Sequence, residues 1–292
     1  MGQRQAQNET AMCLLSYPPL QVSERGTRNI SNLIENGFDV VFSSPSPNTW
    51  SRLMKLAFFE FGNWAVPTEM ALYGSVPQIA LAYSIPLVFI GENQSLRDRS
   101  TLSGDPWNYD NARANNTLNG GDIQWAIKGG LEISKLGPYL YPKEADLKNA
   151  QIQTIDLGWF IPNFDNFNNA MFSSANGLSL RDEHVSLNGD PLGVSALDED
   201  WVAVNQMIKY FKFGYGKMTD YANEYIRSGR KTREDCIALV EKYDGVCSEE
   251  HISSFCDFTK ISTTEFWDKV TSITNLDLFQ VSDDGDIKPK FR

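Results

Sequence analysis

Histidine and closely spaced cysteine, the residues of most zinc sites, are scarce in this 292-residue chain. Its two histidines, His184 and His251, follow no H-x-x-x-H spacing, and its four cysteines follow no C-x-x-C spacing. Zinc sites and disulfide frameworks usually show such spacings in sequence. The sequence therefore predicts no metal site, and any chemistry must depend on carboxylates, amides, cations or a cofactor.

Long apolar runs and basic clusters are also missing. No run approaches the roughly 20 apolar residues that a membrane-spanning helix needs, and residues 1–7 lack the apolar segment of a signal peptide. We therefore expect a cytoplasmic protein without a membrane span. The 26 lysines and arginines stand against 37 acidic residues, for a net charge of −11, which argues against nucleic acid as a partner.

Strand and helix patterns alternate in the first half of the chain, which at 41% hydrophobic residues can form a core. Strands are predicted at 12–16, 39–43, 85–90 and 151–157, and helices at 23–36, 49–61 and 67–84. After about residue 201 the pattern predicts helices alone, one from Thr232 to near Gly245 and one behind a capping box at Ser262 and Glu265. This order predicts an α/β fold with a parallel sheet, followed by a mostly helical carboxyl-terminal region.

The predicted strand at 85–90 ends in a polar sequence, Gly91-Glu92-Asn93. A continuous apolar run of this length is typical of a strand that is buried on both faces. Open α/β sheets bind ligands at the carboxyl ends of such strands, so Glu92 and Asn93 are candidate site residues. The alternative is an ordinary solvated turn. The long polar segment that follows, residues 94–121, favours a site, because loops of that length are usually functional or disordered.

The densest group of cations lies in the helical part, in residues 212–220 and 226–234. Arg227, Arg230 and Arg233 follow one another at three-residue intervals, and Lys217 stands behind a Gly-Tyr-Gly sequence. Arginine matches phosphate and carboxylate groups bidentately, so this group is a candidate anion site in an otherwise acidic chain. The alternative is a chance grouping of solvated arginines at helix ends. The residues alone do not decide between the two.

Several segments, in their order and spacing, resemble the N-acetyl sugar amidotransferases of bacterial surface-polysaccharide (lipopolysaccharide O-antigen and nonulosonic acid) synthesis. The resemblance covers about residues 12–267, and Lys217 departs from it, since arginine is expected there. The segments are Tyr17-Pro18-Pro19-Leu20, Arg28-Asn29, Gly37-Phe38-Asp39, Ser44-Pro45-Ser46-Pro47, Phe59-Glu60-Phe61-Gly62, Ile85-Pro86-Leu87-Val88, Gly91-Glu92-Asn93, and residues 213–220 and 226–234.

The resemblance implies a Rossmann-like sheet of the PP-loop ATP pyrophosphatase superfamily. It also implies a reaction in which ATP, with Mg²⁺, adenylates the acetamido oxygen of a nucleotide-linked sugar. Ammonia, supplied by a separate glutaminase and a channel-forming subunit, then displaces AMP to leave an acetamidino group. On this basis Glu92 would orient ammonia or hold magnesium, and Asn93 would bind the amide. The implied phosphate or carboxylate ligands are Lys217, Arg227, Arg230, Arg233 and, more weakly, Arg28, with Asp220 orienting one of them.

The family's phosphate loop, of the form Ser-Gly-Gly-x-Asp-Ser, is missing from this sequence. Backbone N–H groups of such a loop hold the phosphates of ATP, and nothing in the sequence replaces them. We therefore predict an unrelated leader at 1–11, a partial nucleotide-binding α/β domain at 12–160, and a mostly helical substrate or partner region at 161–292.

Three hypotheses follow from the missing loop. The chain is an amidotransferase whose phosphate loop comes from an upstream polypeptide or lies before a misplaced start. Alternatively, it is another PP-loop ATP pyrophosphatase, such as a tRNA thiolation enzyme, although those usually carry basic surfaces or cysteine motifs. The third hypothesis is a non-catalytic remnant or scaffold that binds a sugar nucleotide or a partner.

Overall fold

A computed structural model describes residues 13–16, 23–91, 121–282 and 285–291. Within these ranges the strands are β1 Cys13–Ser16, β2 Asp39–Phe42, β3 Leu87–Ile90, β4 Gln153–Asp156, β5 Phe279–Val281 and β6 Ile287–Pro289. The helices are α1 Glu24–Glu35, α2 Pro47–Phe61, α3 Val66–Tyr83, α4 Gln124–Lys128, α5 Glu144–Asn149, α6 Asn166–Ala175, α7 Val202–Phe213, α8 Lys217–Arg227, α9 Arg233–Tyr243, α10 Glu249–Thr259 and α11 Thr263–Ile273. Short 3-10 turns lie at Ile133–Lys135, Gly137–Tyr139, Leu157–Trp159 and Val185–Leu187.

The architecture is mixed α/β, with parallel strands in the first half and helices in most of the second, as the sequence predicted. Strand β1 pairs in parallel with β2, and α1 connects them as a crossover helix. Strand β3 pairs in parallel with β4. Among the described residues these are two separate two-stranded sheets. No helix of the described part is long and apolar enough to cross a membrane.

Local sequence sets the helix boundaries where the predictions placed them. Thr232 and Ser262 both form capping boxes, in which the hydroxyl accepts from the backbone three residues on and an acidic side chain reaches back. At the end of α1, Gly37 takes a φ of 92°, a left-handed conformation that glycine adopts without strain. These boundaries are therefore confirmed.

The burial of β3 differs from the prediction. Leu87 is 39% exposed and Phe89 is 51% exposed, whereas Val88 and Ile90 are partly covered. Helix α3 packs against β3, and β4 is its partner strand in the described part of the chain. A sheet covered on one face alternates exposed and covered side chains. The prediction of a strand buried on both faces is therefore wrong for the structure described.

The prediction of helices alone after residue 201 is also wrong. Strands β5 and β6 pair in antiparallel fashion and close the carboxyl-terminal region. Phe279 in β5 is fully buried, and its ring lies edge-on to those of Tyr210 and Phe211 at 5.1 and 5.6 Å between centroids. Strands of three residues are too short to show the alternation by which a strand is recognised in sequence.

Helix α2 contributes side chains to two separate cores. Trp50, Met54 and Phe58, spaced four residues apart on one face, pack in a carboxyl-terminal core with α7, α10 and α11. Leu53 and Ala57 point to another face and pack in a second core with α3, α4 and the turn around Tyr139. The first core also contains stacked rings, since Phe58 and Phe266 lie 5.3 Å apart and nearly parallel. Helix α2 therefore joins the two halves of the described structure.

Replacing Phe58 by alanine should lower the free energy of unfolding by about 3–5 kcal/mol, because the ring is fully buried and its removal leaves a cavity. Its neighbour Phe59 is 37% exposed, so Phe59→Ala should cost less than about 1.5 kcal/mol. Urea denaturation followed by circular dichroism measures both values. Equal losses in the two variants would contradict the assignment of Phe58 to a shared core.

Candidate functional site

The structure places the predicted site residues in several different surroundings. Glu92 and Asn93 lie outside the described residues, as does the polar segment up to residue 120, so their roles stay predictions. Arg28 lies on the exposed side of α1 and pairs with Glu24 one turn away, at 3.4 Å. A pair of this kind on an exposed helix contributes little stability.

Two members of the predicted anion site form contacts within the protein. The Arg230 guanidinium donates to Asp165 at 2.9 Å and to Asn168 at 3.1 Å, and it lies 4.4 Å from the ring centre of Phe167. These contacts hold the start of α6 against the turn after α8. Asp220 accepts from Lys209 at 2.8 Å. Their predicted functional roles therefore compete with structural ones.

The remaining cations are spread along α8 and the start of α9. Lys217 begins α8 and Arg227 ends it, about 15 Å further along the helix axis at 1.5 Å per residue. Arg233 begins α9 and is exposed, as is Arg227, and neither forms an ion pair with a described residue. The structure thus separates Lys217 from the arginines that the sequence grouped with it.

Lys217 belongs instead to a turn that a buried carboxylate holds in place. Asp244, 4% exposed, accepts from the backbone N–H of Gly216 at 2.8 Å and from that of Thr219 at 3.2 Å. It also accepts from the Thr219 hydroxyl at 2.6 Å. A side chain at Gly216 would put its Cβ 2.8 Å from the Asp244 carboxylate, so only glycine fits there. Gly245, which follows Asp244 in the chain, has a φ of 76° and lies against the Tyr210 ring.

Sequence reasoning missed Asp244. The signal was present, since Tyr243-Asp244-Gly245 follows a helix and places an acid beside a left-handed glycine. The sequence does not reveal the hydrogen-bond partner of Asp244, because Thr219 lies 25 residues earlier in the chain. Only the antiparallel packing of α8 and α9 brings the two together.

A small polar cavity of about 20 Å³ lies beside this turn. Its polar lining includes Arg181, Asn188, Asp190, Ser195, Glu199, Asp200, Gln206, Lys217 and His251. A volume of this size holds one water-sized molecule. Two buried atoms, the amide oxygen of Gln206 and Nδ1 of His251, have no hydrogen-bond partner in the described part of the chain.

Arg181 is the central cation of the cavity, and its side chain is only 4% exposed. It pairs with Asp200 at 2.5 Å and with Glu183 at 3.3 Å, and it donates to the backbone carbonyl of Ser195 at 3.0 Å. It also donates to the backbone carbonyls of Ala196 and Glu199. Burial alone would lower the pKa of Arg181, but Asp200 and the other carboxylates raise it, so the charge is retained.

The acidic members are held by backbone donors. Glu199 accepts from the N–H groups of Trp201 at 2.6 Å and Val202 at 3.1 Å, at the start of α7. Burial, with the negative charge of Asp198, raises the pKa of Glu199 to about 8. Asp190 is 4% exposed and accepts three N–H groups of residues 192–195 at 2.7–3.0 Å. The carboxylates therefore organise the loop that surrounds Arg181.

The polar cavity does not fit ATP with magnesium. The cavity is far smaller than the roughly 300–1,000 Å³ of a pocket that encloses a molecule of that size. Among the described residues, no group of three histidine, cysteine or acidic side chains could hold a metal ion. The carboxylates of Asp190 and Glu199 already accept backbone donors. We therefore derive no catalytic step through ATP at this cavity.

Asp244→Asn should lower the free energy of unfolding by about 1–3 kcal/mol, because an amide NH₂ would face backbone donors in a buried position. Thr219→Val should cost about 0.5–1.5 kcal/mol by removing one of the three hydrogen bonds. Thr219→Ser, which keeps the hydroxyl, should cost less than Thr219→Val. Chemical denaturation tests the order, and equal effects of valine and serine would contradict the hydroxyl contact.

The raised pKa of Glu199 predicts a pH dependence of stability. Between about pH 4.5 and 8 the folded state keeps a proton that the unfolded state has lost, so the free energy of unfolding falls as pH rises through this window. Glu199→Gln removes this titration. The stability of the variant relative to the wild type should rise by roughly 1–3 kcal/mol from pH 5 to 8. Glu241→Gln, at an exposed position on α9, should show no such trend, and a parallel trend would refute the assignment to Glu199.

Residues 164–290 match the model of a family described as "LPS biosynthesis protein WbpG-like, C-terminal domain". The matched range contains the polar cavity, Asp244 and both cationic segments. No curated protein matches the chain. The match supports a role in lipopolysaccharide-related biosynthesis.

Proposed function

We propose that this chain is an amidotransferase subunit that converts the acetamido group of a nucleotide-linked sugar into an acetamidino group in lipopolysaccharide-related biosynthesis. ATP and ammonia would be consumed, and AMP and pyrophosphate released. One observation carries the proposal. The two segments of the resemblance that lie in the helical part, 213–220 and 226–234, form one folded unit around α8 within the range that matches the lipopolysaccharide family.

The proposal places the phosphate loop outside this sequence, either on an upstream polypeptide or before a misplaced start. The sequence contains no Ser-Gly-Gly-x-Asp-Ser motif, and the polar cavity is too small for ATP. Ammonia would come from a glutaminase and a channel-forming subunit. Within this chain, Glu92 and Asn93 would contact the acetamido group or the ammonia. Lys217, Arg227 and Arg233 would contact phosphate or carboxylate groups.

A non-catalytic scaffold that binds a sugar nucleotide or a partner is the second candidate. The observation in its favour is that Arg230 and Asp220 pair with Asp165 and Lys209 within the chain. Cations that already have carboxylate partners are less able to stabilise developing phosphate charge. The two candidates share the ligand and differ in whether turnover occurs.

An assay of AMP release separates the candidates. It contains ATP, magnesium, ammonium and UDP-N-acetylglucosamine or another UDP-linked acetamido sugar, with and without the polypeptide encoded immediately upstream. We expect AMP and the acetamidino product only when both polypeptides are present. Absence of turnover in both mixtures would refute the amidotransferase and favour the scaffold.

Within an active mixture, Glu92→Gln should reduce the rate of AMP release by at least about 100-fold, because it removes a carboxylate that orients ammonia or metal. Glu60→Gln, at an exposed position on α2, is the matched control and should stay within about 2-fold of the wild type. Full activity of Glu92→Gln would show that Glu92 has no role at the site. It would not contradict the proposed reaction.

A further inference from the structure

The turn between α7 and α8 exposes two aromatic rings beside two lysines. Phe213 is 54% exposed and Tyr215 is 44% exposed, and their ring centroids lie 6.1 Å apart at an angle of 34°. Lys209 Nζ lies 4.6 Å from the centre of the Tyr215 ring, and Lys212 Nζ lies 5.1 Å from that of Phe213. We call these four residues the aromatic patch. It is distinct from the polar cavity.

The backbone under the aromatic patch is fixed on both sides. Gly214 ends α7 with a φ of 80° and donates to the backbone carbonyl of Tyr210 at 2.7 Å. A side chain at Gly214 would put its Cβ 2.7 Å from the Leu278 side chain. The turn therefore packs closely against the residue that precedes β5. Gly216 is held by Asp244 at 2.8 Å. Rings presented on a fixed backbone lose little conformational entropy when a ligand binds.

The charge around the aromatic patch is positive, although the whole chain carries −11. Lys209 pairs with Asp220, but Lys212 donates to the backbone carbonyl of Phe61 at 2.8 Å. Neither Lys212 nor Lys269 forms an ion pair with a described residue. Burial and the charge of Lys269 lower the pKa of Lys212, which shows that the two ammonium groups repel each other. An anion bound near them would relieve that repulsion.

Aromatic faces and lysines suit a ligand that joins a ring to phosphate groups. Lys209 and Lys212 are three residues apart on α7, with Lys209 bound to Asp220 and Lys212 bound only to a backbone carbonyl. We infer that the aromatic patch binds the nucleoside diphosphate group of a sugar nucleotide. The rings of Phe213 and Tyr215 would contact the base or the sugar, and Lys212, which has no carboxylate partner among the described residues, would contact the phosphates.

The inference rests on the proposed function for the sugar nucleotide, but binding requires neither ATP nor turnover. Isothermal titration of the full chain with UDP-N-acetylglucosamine, ADP, uridine and inorganic pyrophosphate tests it. UDP-N-acetylglucosamine should bind at least about 10-fold more tightly than uridine or pyrophosphate, because it engages the rings and Lys212 together. Phe213→Leu and Tyr215→Leu should each weaken its binding about 5- to 100-fold. Lys212→Met should weaken it and reduce its dependence on salt.

The chain offers matched controls for both kinds of substitution. Lys242 Nζ lies 4.9 Å from the ring centre of Tyr243 on α9, so Lys242→Met removes a similar lysine–ring contact elsewhere. Phe172, 73% exposed on α6, provides the same control for the rings through Phe172→Leu. Both control variants should bind the sugar nucleotide as the wild type does. Thermal melting of all variants checks that they remain folded.

Four results would overturn the inference. The first two are that the sugar nucleotide does not bind at millimolar concentration, or that Phe213→Leu and Tyr215→Leu leave its binding unchanged. The third is that ADP binds more tightly than the sugar nucleotide and is equally sensitive to the variants, and the fourth is that polyglutamate binds in place of nucleotides. The third would assign the aromatic patch to ATP and the fourth to an acidic protein segment. Binding of the sugar nucleotide without AMP release would support the inference while contradicting the proposed reaction. AMP release with a KM that Phe213→Leu and Tyr215→Leu leave unchanged would support the proposed reaction while contradicting the inference.

Discussion

The burial of α2 on two faces is the constraint on which the rest of the described structure depends. One face of the helix supplies Trp50, Met54 and Phe58 to the carboxyl-terminal core, and the other supplies Leu53 and Ala57 to the second core. A helix that is apolar on two faces can be satisfied only between two layers. Strand β3, through Ile90, and the helices of the carboxyl-terminal core are therefore held through one shared element.

Buried carboxylates position the functional part in a similar way. Asp244 fixes the turn before α8, Glu199 caps α7, and Asp190 holds the loop that surrounds Arg181. Backbone donors replace part of the water that each of them loses, although burial still raises the pKa of Glu199 to about 8. The glycines of the Gly-Tyr-Gly sequence follow from the same packing, since Gly216 touches the Asp244 carboxylate. The glycines of this segment thus have a structural role. The exposed rings and Lys212 of the aromatic patch are the residues that we propose contact a ligand.

The family match and the geometry point to the same portion of the chain. Residues 164–290 contain the cavity and the aromatic patch, and they match a lipopolysaccharide biosynthesis domain. The cavity takes one water-sized molecule, so it organises the site and does not enclose a substrate. The aromatic patch lies on the surface. Under the proposed function, this chain would bind the sugar nucleotide, and a segment outside this sequence would bind ATP.

The sequence by itself determined the fold class and the boundaries of most helices, because capping residues and apolar periodicity act within a few residues of one another. Contacts between distant segments were decided only by the tertiary structure. It exposed one face of β3, added the β5–β6 hairpin, and paired Arg230 with Asp165 and Thr219 with Asp244. The sequence grouped Lys217 with the arginines because they are close along the chain. Packing separated them, since a helix of 11 residues carries its two ends apart.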